Sequence, residues 1–136
     1  MRNQAILCLG SNWGCEANIS SADGLLRGYF RSVRFSESVY TEPVGLPDSG
    51  PFLNQVAFVC TDASLEEVRL ALKTMEKQLG RRPESKEMGQ IPIDIDLLLW
   101  NGEILKPADW EKDYVQLLSC SVADTGYDDE RGDTDA

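Results

Sequence analysis

Apolar residues recur along this chain at two spacings, every second position or every third and fourth, and the switches between them outline its elements. Ala5 to Leu9 is a short apolar run closed by Gly10-Ser11-Asn12, which reads as a strand running into a turn. From Glu16 to Phe30, Ile19, Ala22, Leu25, Leu26 and Tyr29 fall on one face of a helix. Val33, Phe35 and Val39 alternate with polar residues and predict a single strand from Val33 to Tyr40. Thr41 to Pro51 carries Pro43, Gly45, Pro47 and Gly50 and is expected to be a loop, after which Phe52 to Thr61 is again strand-like.

The helical pattern is clearest from Ser64 to Leu79. Ser64 and Glu67 stand at capping-box spacing, and Leu65, Val68, Leu72, Met75 and Leu79 form the stripe that faces the core. Gly80 ends it, and Arg81 to Gly89 reads as a charged loop. Ile91 to Trp100 is a nearly continuous apolar run, the mark of a buried strand, followed by an Asn101-Gly102 hairpin turn and a return strand from Glu103 to Lys106. Trp110 to Leu118 is expected to be the last helix. The order is β-α-β-β-α-β with an added hairpin. That places the chain in the α+β class, as a ferredoxin-like antiparallel sheet with its helices on one face. No repeat or linker divides it. We expect one domain over residues 1–122 and an acidic, disordered tail over 123–136.

Composition narrows the partners. A chain of 136 residues suits one hydrophobic core. Its net charge of -10 argues against non-specific binding to nucleic acid or to an anionic membrane. No apolar run is long enough to span a bilayer, and the start lacks the apolar stretch of a secretory signal, so a cytoplasmic location is expected. Cys8, Cys15, Cys60 and Cys120 are scattered without metal spacing, and Cys8 and Cys60 sit in apolar runs as reduced core residues. The chain has no His, which excludes a Ser-His-Asp triad, a His general base and the usual catalytic zinc sites.

Two acids interrupt the last long strand. Alternate residues of a strand share a face, so Asp94 and Asp96 stand side by side with Cα atoms roughly 7 Å apart. Adjacent buried carboxylates repel, which raises a pKa. A hard divalent cation relieves the repulsion, and a carboxylate pair suits magnesium. A solvated sheet edge explains the same two residues equally well, and on these residues alone both readings stand.

Further motifs fall in order. Leu9-Gly10-Ser11-Asn12 closes the first strand, and Thr41-Glu42-Pro43-Val44-Gly45 precedes Pro51-Phe52-Leu53-Asn54. Glu76 precedes Leu79-Gly80-Arg81, and Asp94-Ile95-Asp96-Leu97-Leu98 follows. Over roughly residues 5 to 106 the series resembles the 6-hydroxymethyl-7,8-dihydropterin pyrophosphokinase family of folate biosynthesis. The resemblance implies a transferase that moves diphosphate from ATP to a pterin hydroxymethyl group. By the same resemblance Asp94 and Asp96 are ligands of two Mg²⁺ ions and, with Arg81, the catalytic set. Thr41, Pro43, Val44 and Gly45 form the pterin loop, Phe52 stacks on the ring and Asn54 reads its polar edge. Glu76, Arg81, Arg82 and Lys112 hold the nucleotide. ATP and a pterin are then the partners, with no nucleic acid and no membrane, and the oligomeric state is left open.

The chain also departs from that family. Pro83 and Ile91 stand where basic residues are expected and Met88 where an aromatic is expected, and Lys106-Pro107-Ala108-Asp109-Trp110 lacks the usual Pro-His pair. Three readings follow: the enzyme, a weakened homologue that binds pterin, nucleotide or a protein partner without turnover, and a module that shares only the fold.

Overall fold

Alternation along the central strands gives the sheet one apolar face toward two long helices and a second, mixed face that carries the acids. The computed structural model describes residues 2–42 and 50–124. Within them β1 (Asn3–Ser11), β2 (Ser32–Phe35), β3 (Val39–Thr41), β4 (Phe52–Thr61), β5 (Asp94–Trp100) and β6 (Glu103–Ile104) form one antiparallel sheet. Its order is β2-β4-β1-β5-β6, with β3 also paired to β4. Leu7, Leu9, Ala57, Val59, Ile95 and Leu97 face the main core. α1 (Cys15–Tyr29) adds Ile19, Ala22 and Leu26 to it, and α2 (Leu65–Gln78) adds Val68, Leu72 and Met75. The Ser64–Glu67 capping box forms as expected. Tyr29, expected on the buried stripe of α1, is 38% exposed, and Phe30 just past the helix end takes the buried place.

The expectation that all helices share one face is not met. α5 (Asp113–Asp124) lies on the other face, where its Leu118 and Val122 pack on Val56 beside Ile6 and Phe58. These sheet residues alternate with the core-facing set and are themselves apolar, so that side of β1 and β4 also needs cover. The expected helix from Trp110 to Leu118 is in fact two, a turn of α4 (Pro107–Trp110) with Pro107 at its start, then α5. A turn of helix, α3 (Ser85–Met88), also interrupts the expected 81–89 loop.

The single strand expected from Val33 to Tyr40 is split by a bulge. Phe35 pairs with Ala57 and Val39 with Asn54, so three residues of one strand face two of the other. Ser36 fills the gap. Its N–H donates to the Val56 carbonyl at 2.8 Å and its Oγ accepts from the Val56 N–H at 2.9 Å. The strand expected from Ile91 starts only at Asp94, because Pro92 has no N–H and Ile91 is bonded to Asn12 instead. The hairpin turn forms with positive φ at both Asn101 and Gly102, but its return strand stops at Ile104, short of Lys106. Among the described residues no helix is long and apolar enough to cross a membrane.

α1 carries one electrostatic liability. Burial pushes the Asp23 carboxyl up from 3.8 to about 6, against a hydrogen bond from Gln55 and the charge of Arg27, and its Oδ1 has no hydrogen-bond partner. Through that window the folded chain binds a proton that the unfolded chain has released, so Asp23 lowers stability as pH rises. Asp23→Asn is expected to remove this fall. Allowing for the partial exposure of the group, the variant gains on the order of 1 kcal/mol near pH 7 and nothing near pH 4, read from urea midpoints at both values.

Candidate active site

The register of β1 with its two neighbours sets the floor of the site. Gly10 pairs with Asn54 of β4 on one side and with Asp94 of β5 on the other, and Cys8 pairs likewise with Val56 and Asp96. Residues opposite one another in an antiparallel pair project to the same face. Asn54, Asp94 and Asp96 therefore stand together on the face that carries α5. A Cβ on Gly10 would lie 3.4 Å from Asn54 Oδ1 and 3.6 Å from a ring carbon of Phe52, so a larger residue would fill the floor between them. Asn54 is buried, and its Nδ2 donates to Thr41 Oγ1 at 2.7 Å and to the Phe52 carbonyl at 3.1 Å.

The acid pair is compensated by two cations from different elements. Arg81 donates to Asp94 Oδ1 at 2.6 Å and to the Ile93 carbonyl at 3.2 Å, and Lys106 donates to Asp96 Oδ1 at 3.0 Å. Burial, then the charge of Asp94, push the Asp96 carboxyl up to about 6 despite Lys106. Burial opposes the charged forms of Arg81 and Lys106, but their carboxylate partners outweigh it and raise both pKa values. β6 pairs with only Leu99 and Trp100, which leaves the outer edge of β5 at Asp94–Leu97 without a partner strand among the described residues. Glu76 of α2 covers part of that edge: its Oε2 accepts from the Ile95 N–H at 2.8 Å and lies 3.4 Å from Arg81. Burial raises the Glu76 carboxyl, with the Ile95 N–H opposing.

Two cavities meet at this cluster. One, of about 490 Å³, runs along the open edge of β5 between α2 and Lys106 and holds Glu76, Arg81 and Arg82. The other, of about 870 Å³, lies under α4 and α5 and holds Thr41, Phe52 and Asn54. Arg81, Asp94, Asp96 and Lys106 border both. The structure thus brings together the expected metal ligands, Arg81, and the expected ring-stacking and edge-reading residues. Lys112, expected with the nucleotide set, lies instead in the Phe52 cavity, ion-paired to Asp109 at 3.1 Å. Pro43, Val44 and Gly45 lie outside the described residues.

Sequence reasoning missed the role of Asn12. Its backbone N–H donates to the Ile91 carbonyl at 3.0 Å, its Oδ1 accepts from the Ile91 N–H at 2.6 Å and its Nδ2 donates to the Gly89 carbonyl at 2.9 Å. The end of β1 therefore fixes the segment that leads into Asp94. It also missed Lys106, expected within a return strand, because only the hairpin geometry carries that side chain back to Asp96. Arg69, Lys73 and Lys77 of α2 line the first cavity; the helical pattern marks them only as lying off its buried stripe.

Known proteins resemble the chain along most of its length. A family model described as 7,8-dihydro-6-hydroxymethylpterin-pyrophosphokinase matches residues 6–124. The 2-amino-4-hydroxy-6-hydroxymethyldihydropteridine pyrophosphokinase of Porphyromonas gingivalis is 30% identical over 132 residues, covering 86% of this chain and 88% of that protein. The protein of the same name from Aquifex aeolicus is 33% identical over 101 residues, covering 74% of this chain and 62% of that one. The folate synthesis bifunctional protein of Arabidopsis thaliana is 30% identical over 122 residues, covering 82% of this chain. This chain spans only 25% of that plant protein.

Asn12→Ala keeps the backbone bond to Ile91 but deletes both side-chain bonds. It is expected to speed hydrogen exchange at the Ile91 amide and to cost about 1–3 kcal/mol, the penalty for leaving partly buried groups unpaired. An unchanged Ile91 exchange rate would show that the segment is held by other contacts.

Proposed function

The chain belongs to the 7,8-dihydro-6-hydroxymethylpterin-pyrophosphokinase family, and from that premise we propose that it transfers diphosphate from ATP to 6-hydroxymethyl-7,8-dihydropterin in folate biosynthesis. One observation carries the proposal: two cavities meet at the Asp94–Asp96 pair, and the same two cations border both. A transfer between two substrates needs such a junction, with each substrate held on its own side. The strand order β2-β4-β1-β5 supports a ferredoxin-like reading of the frame beneath it.

ATP occupies the cavity along α2, with its phosphates toward Asp94 and Asp96. The pterin occupies the cavity under α5, stacked on Phe52, with Asn54 reading its polar edge. The hydroxymethyl oxygen of the pterin attacks the β-phosphorus, the bond from that phosphorus to the α-phosphate oxygen breaks, and AMP departs. The hydroxyl proton passes to solvent, since no residue of the described site is placed as its base. Arg81 and Lys106, now ion-paired to the carboxylates, are placed to grip the phosphates as charge builds on them.

The residues also fit magnesium. Among the described residues no group of three or more His, Cys, Asp or Glu could hold a metal alone. The site offers two crowded carboxylates, one held near a pKa of about 6 by burial and by its neighbour. Magnesium binds through one or two carboxylates, with substrate phosphates and water completing its shell. Asp94 and Asp96 would hold it, two ions in our reading, and when bound it supplies Lewis-acid neutralisation of the phosphate charge.

One observation favours a second reading. Asp94 and Asp96 are already compensated by Arg81 and Lys106, a stable state for a homologue that binds pterin or nucleotide without turnover. AMP release separates the two. With ATP, magnesium and the pterin, the wild type is expected to release AMP, and Asp96→Ala to lower the rate on the order of 100-fold or more. Wild-type protein at the variant's background rate would leave the binding homologue. Phe52→Ala is expected to weaken pterin binding roughly 3- to 10-fold and to leave nucleotide affinity unchanged, read by calorimetry with each ligand alone.

A further inference from the structure

α2 carries a one-signed ladder on the wall of the first cavity. Arg69, Lys73 and Lys77 follow one another at i, i+4, and Arg81 continues the spacing just past the helix end. All three helical residues line the cavity. Neighbours of like charge at this spacing repel and destabilise a helix, which is why solvated helix faces tend to mix signs. None of the three has a salt-bridge partner among the described residues, although the charge of Lys73 reaches Glu76, three residues on, and favours its ionised form. With Arg81, Arg82 and Lys106 they bring six of the chain's 13 Lys and Arg residues to one cavity, in a chain of net charge -10. Its acids are Glu76, Asp94 and Asp96, and each already accepts a hydrogen bond.

We propose that Arg69, Lys73 and Lys77 form a nucleotide-binding wall, holding the polyphosphate of the co-substrate from the α2 side while Arg81 and Lys106 hold it at the acid pair. This deepens the reading of that cavity as the nucleotide site and rests on it. The repulsion along the helix is relieved when a polyanion lies across it, so the ladder stabilises the bound state at the expense of the free one. Screening by salt follows directly, because the cations are exposed. The wall leaves the pterin cavity alone, since none of the three borders it.

The test is calorimetric binding of a non-hydrolysable ATP analogue to the full chain, at low and at moderate salt. The triple variant Arg69→Gln, Lys73→Gln, Lys77→Gln keeps good helix formers at each position. It is expected to bind the analogue roughly 10- to 100-fold more weakly, the loss of one or two charge-assisted contacts, and to show a flatter salt dependence. Pterin binding should not change. Arg31→Gln removes a charge elsewhere, one paired to Asp62 at 3.5 Å, and controls for net charge. Lys73→Gln alone should weaken the analogue more than Arg31→Gln does. Equal affinities for wild type and triple variant, with wild type binding the analogue, would overturn the wall and leave the enzyme reading intact. A wild type that binds no nucleotide would overturn both. Circular-dichroism melting of the triple variant, expected near the wild-type midpoint because the lost repulsion is offset by the lost Lys73–Glu76 attraction and the lost last-turn charge of Lys77, separates lost contacts from lost fold.

Discussion

Two carboxylates side by side on one strand cannot both ionise in a half-buried place without help, and the neighbourhood of Asp94 and Asp96 is organised by that constraint. Help comes from two directions: Arg81 from just beyond α2, and Lys106 from beyond the β5–β6 hairpin. Neither cation lies close to its acid in sequence. The pair can therefore be compensated only after α2 has docked on the core and the hairpin has closed. Local charge balance and global topology depend on each other here, and the residual strain remains visible in the raised carboxyl of Asp96.

The same constraint explains why the middle strand is as plain as it is. β1 contributes Gly10 and Cys8 to the row where its neighbours contribute Asn54, Asp94 and Asp96. A bulky side chain at Gly10 would press on Asn54 and Phe52. A charged one at Cys8 would join the acid pair directly, and the thiol there stays neutral: burial and the two acids push it up to about 12. The middle strand supplies alignment and space, and its neighbours supply chemistry. Alignment is then tightened at the strand's end, where Asn12 ties the approach to Asp94 with bonds to Gly89 and Ile91.

Much of this was legible from residue order, and the rest fails for identifiable reasons. The α2 capping box, the full extent of β4 and the Asn101-Gly102 turn are local signals, set by neighbours in sequence, and they hold. Asp94 and Asp96 sharing a face follows from strand periodicity alone. The bulge at Ser36 was hidden because a serine that mimics a backbone acceptor leaves no mark in the hydrophobic pattern. α5 on the far face was hidden because alternation shows that Val56 and Phe58 are apolar but not what covers them. Lys106 looked like part of a strand, since nothing local tells that the return strand ends at Ile104.

The ladder on α2 shows how a charge pattern gains meaning only from what it faces. In sequence, Arg69, Lys73 and Lys77 are ordinary exposed cations on the polar side of an amphipathic helix, and that is the commonest fate of such residues. The structure turns that side toward an open sheet edge, across which Lys106 and Arg81 sit on their acids. A protein of strongly negative net charge repels an anionic substrate at long range, so any attraction must be built locally and must act within about a Debye length, roughly 8–10 Å at moderate ionic strength. A cluster of cations without salt-bridge partners among the described residues, beside paired ones, meets that need. The paired cations stabilise the acids while the cavity is free, and the others are available from the outset. On the proposed reading, a polyanion meets the helix wall before partners exchange at Asp94 and Asp96.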